Sequence, residues 1–264
     1  KFNLPPQRCA LIALEPRVTA PLMYTKRVVR RFGHRFAASP TWAKEIGAVS
    51  FRWPQEIEAP SARPECWPYQ VSMVNAEKRS ATRGSLYGLR RQVIRSCDAT
   101  GISLGVVGKG WHEPRHLRLL RGTKAVVRAI HAGQRPHLKE ALGDIGIRPI
   151  SEVGVVENKR DALAIAPMSI VIENSRDYVS EKLIDVITAG VIPIYVGPDL
   201  STVNIPPEVA FSCEPRADEI TNAVIEMSSF DQAQILAAGR EWVTSESFHL
   251  HDTKVVLEQL GETV

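Results

Sequence analysis

Polar and charged side chains crowd into one stretch, Glu173-Asn174-Ser175-Arg176-Asp177-Tyr178-Val179-Ser180-Glu181-Lys182. A carboxylate such as Glu181 can accept two hydroxyls at once, as a ribose would offer. Lys182 beside it brings a full positive charge for a phosphate. Asn174 carries an amide that both donates and accepts, and Tyr178 offers a ring to stack on a base and a hydroxyl to donate. Each residue alone has a structural explanation: Asn174 or Ser175 as a helix cap, Glu181 and Lys182 as a charged first turn. Their order between two apolar runs points instead to a phosphorylated ligand.

Those runs set the frame. Ser169 to Ile172 reads as a strand, Val179 to Ala189 as a helix stopped by Gly190, and Val191 to Val196 as the next strand, closed by a turn at Gly197-Pro198. In open α/β sheets ligands bind beyond the carboxyl ends of the strands. A helix starting there presents free N–H groups and a positive dipole end to a phosphate.

The rest of the chain repeats the alternation. Strands are expected at 8–14, 36–39, 70–75 and 102–107, the last ending in Gly108-Lys109-Gly110-Trp111, with another short strand near Phe211. Helices are expected at 85–96, 157–165, 216–228, 230–243 and 252–260, and a basic helix at 21–31. The basic stretch 114–142 yields only a helix over 137–142. Pro54, Pro60, Pro64 and Pro68 mark an extended linker and a domain boundary. The expectation is an α/β protein with parallel sheets.

Composition bounds the remaining classes. With 264 residues, 44% hydrophobic and 23% charged, the chain is globular and not disordered or coiled-coil. Its longest apolar candidate for a membrane span, Leu183 to Gly197, is broken by Asp185, Gly190 and Pro193. The start, Lys1-Phe2-Asn3-Leu4-Pro5-Pro6, lacks a signal-peptide core. Cys9, Cys66, Cys97 and Cys213 have no metal-ligand spacing and read as buried thiols in a reducing compartment. Pro114 between His112 and His116 argues for a surface loop over a helical metal pair. Basic clusters at 26–35, 78–95 and 109–128 suggest an anionic partner. No zinc-finger or RNA-binding signature accompanies them, so nucleic acid is not expected.

The Glu173–Gly197 segment resembles the donor-binding signature of glycosyltransferase family 10, the α-1,3/1,4-fucosyltransferases. That signature runs Glu-Asn-Ser, a short loop, Tyr-Val/Ile-Thr-Glu-Lys-Leu, then Gly-x-Val/Ile-Pro-Val/Ile-x-x-Gly. Here it reads Glu173-Asn174-Ser175, Tyr178-Val179-Ser180-Glu181-Lys182-Leu183 and Gly190-Val191-Ile192-Pro193-Ile194-Tyr195-Val196-Gly197. Pro206, Pro207 and Phe211 fit its continuation, and the resemblance is weaker over 70–111. The loop before Tyr178 is about two residues shorter than the family's, and Ser180 stands for its Thr.

The resemblance implies a GT-B fold of two Rossmann-like domains facing a cleft, with an N-terminal domain that is short or truncated. It implies partial acceptor-side structure and linker over 1–66, a donor domain over 67–246, and a C-terminal helix over 247–264 that packs back on the first domain. The implied reaction is an inverting, metal-independent transfer of fucose from GDP-fucose, a substrate and not a cofactor, to a glycan or glycolipid hydroxyl. Glu181 would hold the ribose and Lys182 the diphosphate, with Asn174 and Tyr178 lining the nucleotide. Arg90, or else Arg83, would add a second charge on the diphosphate, and Glu15, in Glu15-Pro16 after the first strand, would be the general base. Alternatives are a nucleotide-sugar-binding module without turnover and the same fold with a different donor sugar. The expected location is cytoplasmic, peripheral on an inner membrane through the basic 21–31 segment.

Overall fold

The structure, a computed structural model, describes residues 4–55, 66–229 and 232–262. The first fifty-odd residues build a three-stranded parallel sheet in the order β1 (Ala10–Ala13), β2 (His34–Ala37), β3 (Val49–Ser50). Between β1 and β2 the expected basic helix over 21–31 is instead a 3-10 turn, Pro21–Tyr24, and a single turn, α1 (Lys26–Val29). Neither start has a side-chain cap, and the cations of α1 oppose the helix dipole. Helix α2 (Pro40–Ile46) forms because Pro40 fits its first turn, Ser39 caps the Trp42 amide and Gly47 takes a left-handed φ of 60°. It lowers Trp42, Ala43 and Ile46 onto Leu11, Ala13 and Ala37.

The larger sheet is built from β4 (Val71–Val74), α3 (Tyr87–Thr100), β5 (Leu104–Val107), α4 (Arg115–His131), α5 (Leu138–Leu142), β6 (Glu152–Gly154), α6 (Lys159–Leu163), β7 (Met168–Ile172), α7 (Glu181–Thr188), β8 (Ile192–Val196) and β9 (Phe211–Ser212). Helices α8 (Ala217–Ser229) and α9 (Ala233–Val243) follow. All neighbouring strands are parallel, in the order β6-β5-β4-β7-β8-β9. Numbered from β4 this is the Rossmann order, and it reverses between β4 and β7, where such sheets leave a crevice. Strands β5, β7 and β8 are buried along their whole length, which explains their unbroken apolar runs.

Helix α4 lies in the stretch the sequence leaves mostly unassigned. Its buried face is Arg118, Gly122, Ala125 and Ala129, whereas Leu117, Leu119, Leu120, Val127 and Ile130 are exposed. The apolar spacing therefore follows the wrong side of the helix. Arg118 is absorbed by the carbonyls of Glu113 and Ile147.

The chain then returns to the first unit through α10 (Glu246–His249) and α11 (Thr253–Glu262). Gln55 forms a parallel bridge with Asp252, and Val256 and Leu260 of α11 pack on Phe36 and Phe51. Pro60 and Pro64 of the expected linker lie outside the described residues. All four cysteines are free, but only Cys97 is buried; Cys66 is exposed, contrary to the expectation of four buried thiols. Among the described residues no helix is long and apolar enough to cross a membrane.

Candidate functional site

The turn from β7 to α7 stands at the sheet's reversal. Glu173 follows β7 directly, and its amide donates to Val196 of β8 (2.9 Å). Its side chain is wholly buried and accepts from the Ser180 amide (3.0 Å), the Ser180 hydroxyl (2.6 Å) and Lys182 Nζ (3.2 Å). Lys182 Nζ also donates to Ser180 Oγ (2.6 Å), and Ser180 caps α7 through the Lys182 amide. The positive charge of Lys182 is thus already shared with a buried carboxylate, and its side chain is only 15% exposed.

Asn174 is a second knot. Its amide oxygen accepts from Arg90 Nη2 (2.9 Å), its nitrogen donates to the Tyr178 hydroxyl (2.8 Å), and its carbonyl accepts from the Leu86 amide (3.0 Å). Arg90 Nη2 also donates to the Ile172 carbonyl (2.9 Å), and the guanidinium lies 4.8 Å from the Tyr87 ring centre. Burial lowers the Arg90 pKa, opposed by Tyr87 and Glu173. In this geometry Arg90 joins β7 to the start of α3 at the crevice floor. Arg83 is exposed and lines a different cavity, with Arg17 and residues 134–140.

Tyr178 reaches from the second unit into the first. Its ring sits 6.0 Å from Trp42 and 6.0 Å from Trp53, within the core of the first unit. Burial, with Glu173 and Glu15 nearby, holds its phenol far above the usual range. It acts as a clasp between the units, and Asn174 fixes its hydroxyl.

Glu15 follows β1 and its Oε2 is buried, with no hydrogen-bond partner among the described residues. Its charge helps raise the Tyr24, Tyr87 and Tyr178 phenols, behind burial in each case. Two of those residues, Tyr87 and Tyr178, are contributed by the second unit. Thr19 bridges the two units by its 2.7 Å bond to the Tyr87 hydroxyl. Asp177, its pKa raised by burial, leaves a second unpartnered carboxylate oxygen nearby.

Two of the cavities beside this centre carry charged side chains. One of about 360 Å³ is lined by Glu181, Trp53, Asn158, Lys159 and Asp185. Asp185 is held there by Lys159 and by Gln55 Nε2 (2.6 Å), and burial raises its pKa against the pull of Lys159. The other, of about 470 Å³, is lined by Thr19, Tyr87, Lys78, Lys109, Lys124 and Arg128. Those four cations make no ion pair among the described residues. Glu77 beneath them is buried and consumed by Arg79 (2.8 Å) and Arg91 (3.5 Å). Burial and Arg79 lower the Arg91 pKa to about 10, with Glu77 opposing. The basic clusters at 78–95 and 109–128 signalled this cavity in the sequence, but spacing alone cannot bring them together. Trp53 had no signal at all.

No family model matches the chain, and no curated protein sequence matches it. Solved structures do. Anabaena Alr3699/HepE in complex with UDP-glucose is 10% identical, with a TM-score of 0.61 over 96% of this chain and 71% of that one. Against the same protein with UDP and glucose the chain spans 65% of its length, with a TM-score of 0.59 and 10% identity. TarM of S. aureus, in complex with fondaparinux, alpha-GlcNAc-glycerol and UDP, is 10% identical with a TM-score of 0.53; 90% of this chain matches 45% of it. A glycosyltransferase from Rickettsia africae ESF-5 is 13% identical with a TM-score of 0.52, covering 96% and 68% of the two chains. At such identities the likeness shows the fold: parallel α/β units opposed across a cleft, the GT-B architecture.

Proposed function

We propose that the protein is a glycosyltransferase that binds a nucleotide-diphosphate sugar in the cleft and passes the sugar to a hydroxyl of a glycan or glycolipid. One juxtaposition carries the reading. Glu15, from the first unit, has a buried carboxylate oxygen with no hydrogen-bond partner among the described residues, and its charge acts on the phenols of Tyr87 and Tyr178, which the second unit contributes. A carboxylate so placed can take the acceptor's proton as the new bond forms on the face opposite the leaving group. The cavity of Glu181 and Trp53 suits a nucleoside, with the carboxylate on the ribose and the indole as a stacking surface. Lys78, Lys109, Lys124 and Arg128, which make no ion pair among the described residues, suit the charge of a departing diphosphate. Lys182 and Arg90 act mainly through the groups they hold in place.

On this reading residues 1–66 form the acceptor side, 67–246 the donor domain, and 247–264 a strap between them. The family 10 resemblance supports GDP-fucose, inversion and independence from metal. UDP and UDP-glucose in the similar structures favour a UDP-sugar as the second reading. The free thiols support a reducing, cytoplasmic location.

Calorimetric titration with GDP-fucose and with UDP-glucose, without added metal, separates the readings. Glu181→Ala is expected to weaken the bound donor about 10- to 100-fold, the loss of charged hydrogen bonds, with an unchanged melting temperature. Glu15→Gln is expected to keep donor affinity and to lose at least about 100-fold in transfer. Full turnover in Glu15→Gln would remove it as the base. A wild type that binds but never transfers would leave a binding module, and binding of neither donor would defeat the proposal.

A further inference from the structure

Charge is segregated along the chain. Residues 16–44 and 114–139 contain no Asp or Glu, yet hold 14 of the 33 Lys and Arg; elsewhere 19 basic residues face 29 acidic ones. The fold brings these two stretches together, because the Pro21–Tyr24 turn packs against α4. At 3.6 residues per turn, Leu117, Leu120 and Val127 share one side of α4. These three apolar side chains are 39%, 49% and 44% exposed, and Leu22, on the adjoining turn, is 43% exposed. Lys26 and Arg30 of the next segment are exposed and make no ion pair among the described residues.

We infer that α4 and the Pro21–Arg31 segment form one surface that rests on an anionic phospholipid bilayer. Exposed leucine and valine beside acid-free lysine and arginine is the pattern of a helix lying in a membrane interface. The cations draw the surface to anionic headgroups, and the apolar side chains enter the acyl boundary. A nucleic acid would satisfy the cations but has no use for the aliphatic row. The surface includes residues of both units, so the protein would sit with one side of its cleft against the lipid. This inference does not depend on the nature of the donor.

The test is flotation of the intact protein with vesicles of phosphatidylcholine alone and of phosphatidylcholine with phosphatidylglycerol. Binding to the anionic vesicles only, weakening with salt, is expected. Lys26→Gln with Arg30→Gln should lower the partition coefficient about 25-fold, near fivefold per charge. Leu120→Gln with Val127→Gln, both at exposed helix positions, should lower it about tenfold or more. Circular dichroism and melting temperature confirm that both variants are folded. Equal binding to neutral vesicles, no binding to anionic ones, or wild-type partitioning of the Leu120/Val127 variant would each overturn the inference, the last in favour of a purely electrostatic polyanion surface. Donor titration on the same samples reports separately on the nucleotide-sugar reading.

Discussion

Acidification from pH 7 to pH 5 should cost the protein about 2 kcal/mol through His251 alone. The imidazole is 4% exposed, its ring 6.0 Å from Trp242. Nδ1 donates to the Trp53 carbonyl (3.3 Å), so Nε2 is the bare nitrogen, buried and without a partner among the described residues. Protonation would put an N–H and a charge into that space. Burial accordingly lowers the His251 pKa to about 4, helped by Arg52 and opposed by the Trp53 carbonyl. The unfolded chain takes the proton near pH 6.5, and the folded chain does so only near 4. The contribution is therefore complete above pH 6.5 and is lost as pH falls toward 4, with a full span of about 3 kcal/mol at 1.36 kcal/mol per pKa unit. Urea denaturation at half-unit steps from pH 7 to pH 5, on wild type and His251→Gln, isolates the effect. Glutamine retains an N–H donor but does not titrate, and every other carboxyl titrates alike in both proteins. The wild type should lose about 2 kcal/mol more than the variant across that range. Parallel lines would refute the assignment of a buried neutral imidazole.

Other perturbations probe the crevice floor and the thiols. Glu77→Gln strands the buried Arg79 and Arg91 and should cost about 3–5 kcal/mol in chemical denaturation. In Gly108→Ala the new Cβ would clash with the Asn75 carbonyl oxygen at a φ of +145°. A loss of about 3 kcal/mol, or roughly 10 °C in melting temperature, is expected by calorimetry. Maleimide should label exposed Cys66 in the native protein and reach Cys97 only on unfolding, since burial removes Cys97 from solvent and pushes its thiol up to about 12; mass spectrometry of the labelled peptides reads the order.

The second unit is legible in the sequence because its strands are short apolar runs between polar turns. Ile170-Val171-Ile172 and Ile192-Pro193-Ile194 announce parallel strands buried on both faces, and Gly190 adopts the positive φ that its place after α7 requires. What is not legible is partnership across distance. Tyr178 reads as a nucleotide contact until Trp42 and Trp53, more than a hundred residues earlier, are seen to enclose it. Lys182 reads as a free cation until the turn folds Glu173 beneath it. Helix α4 escapes because its inward face is alanine, glycine and one arginine, while leucines mark its outer face. The short strands β3 and β6 are too brief for any period to show. Glu15 follows β1 as expected, and only the return of the chain brings Tyr87 and Tyr178 within reach of its charge.

The contact between Trp53 and His251 joins positions 198 residues apart. Phe36 and Phe51 likewise wait for Val256 and Leu260 before their apolar surface is covered. During synthesis, then, the smaller sheet, made before the larger one, cannot be finished before α11 has been made. It stays partly uncovered until α11 docks, whatever the state of the larger sheet, which itself pairs Ser72 with Ser169. The docking of α11 is a long-range step, and without it Phe36 and Phe51 would lose their cover. Chain order and assembly order thus part company, and α11 is the latch that covers the smaller sheet.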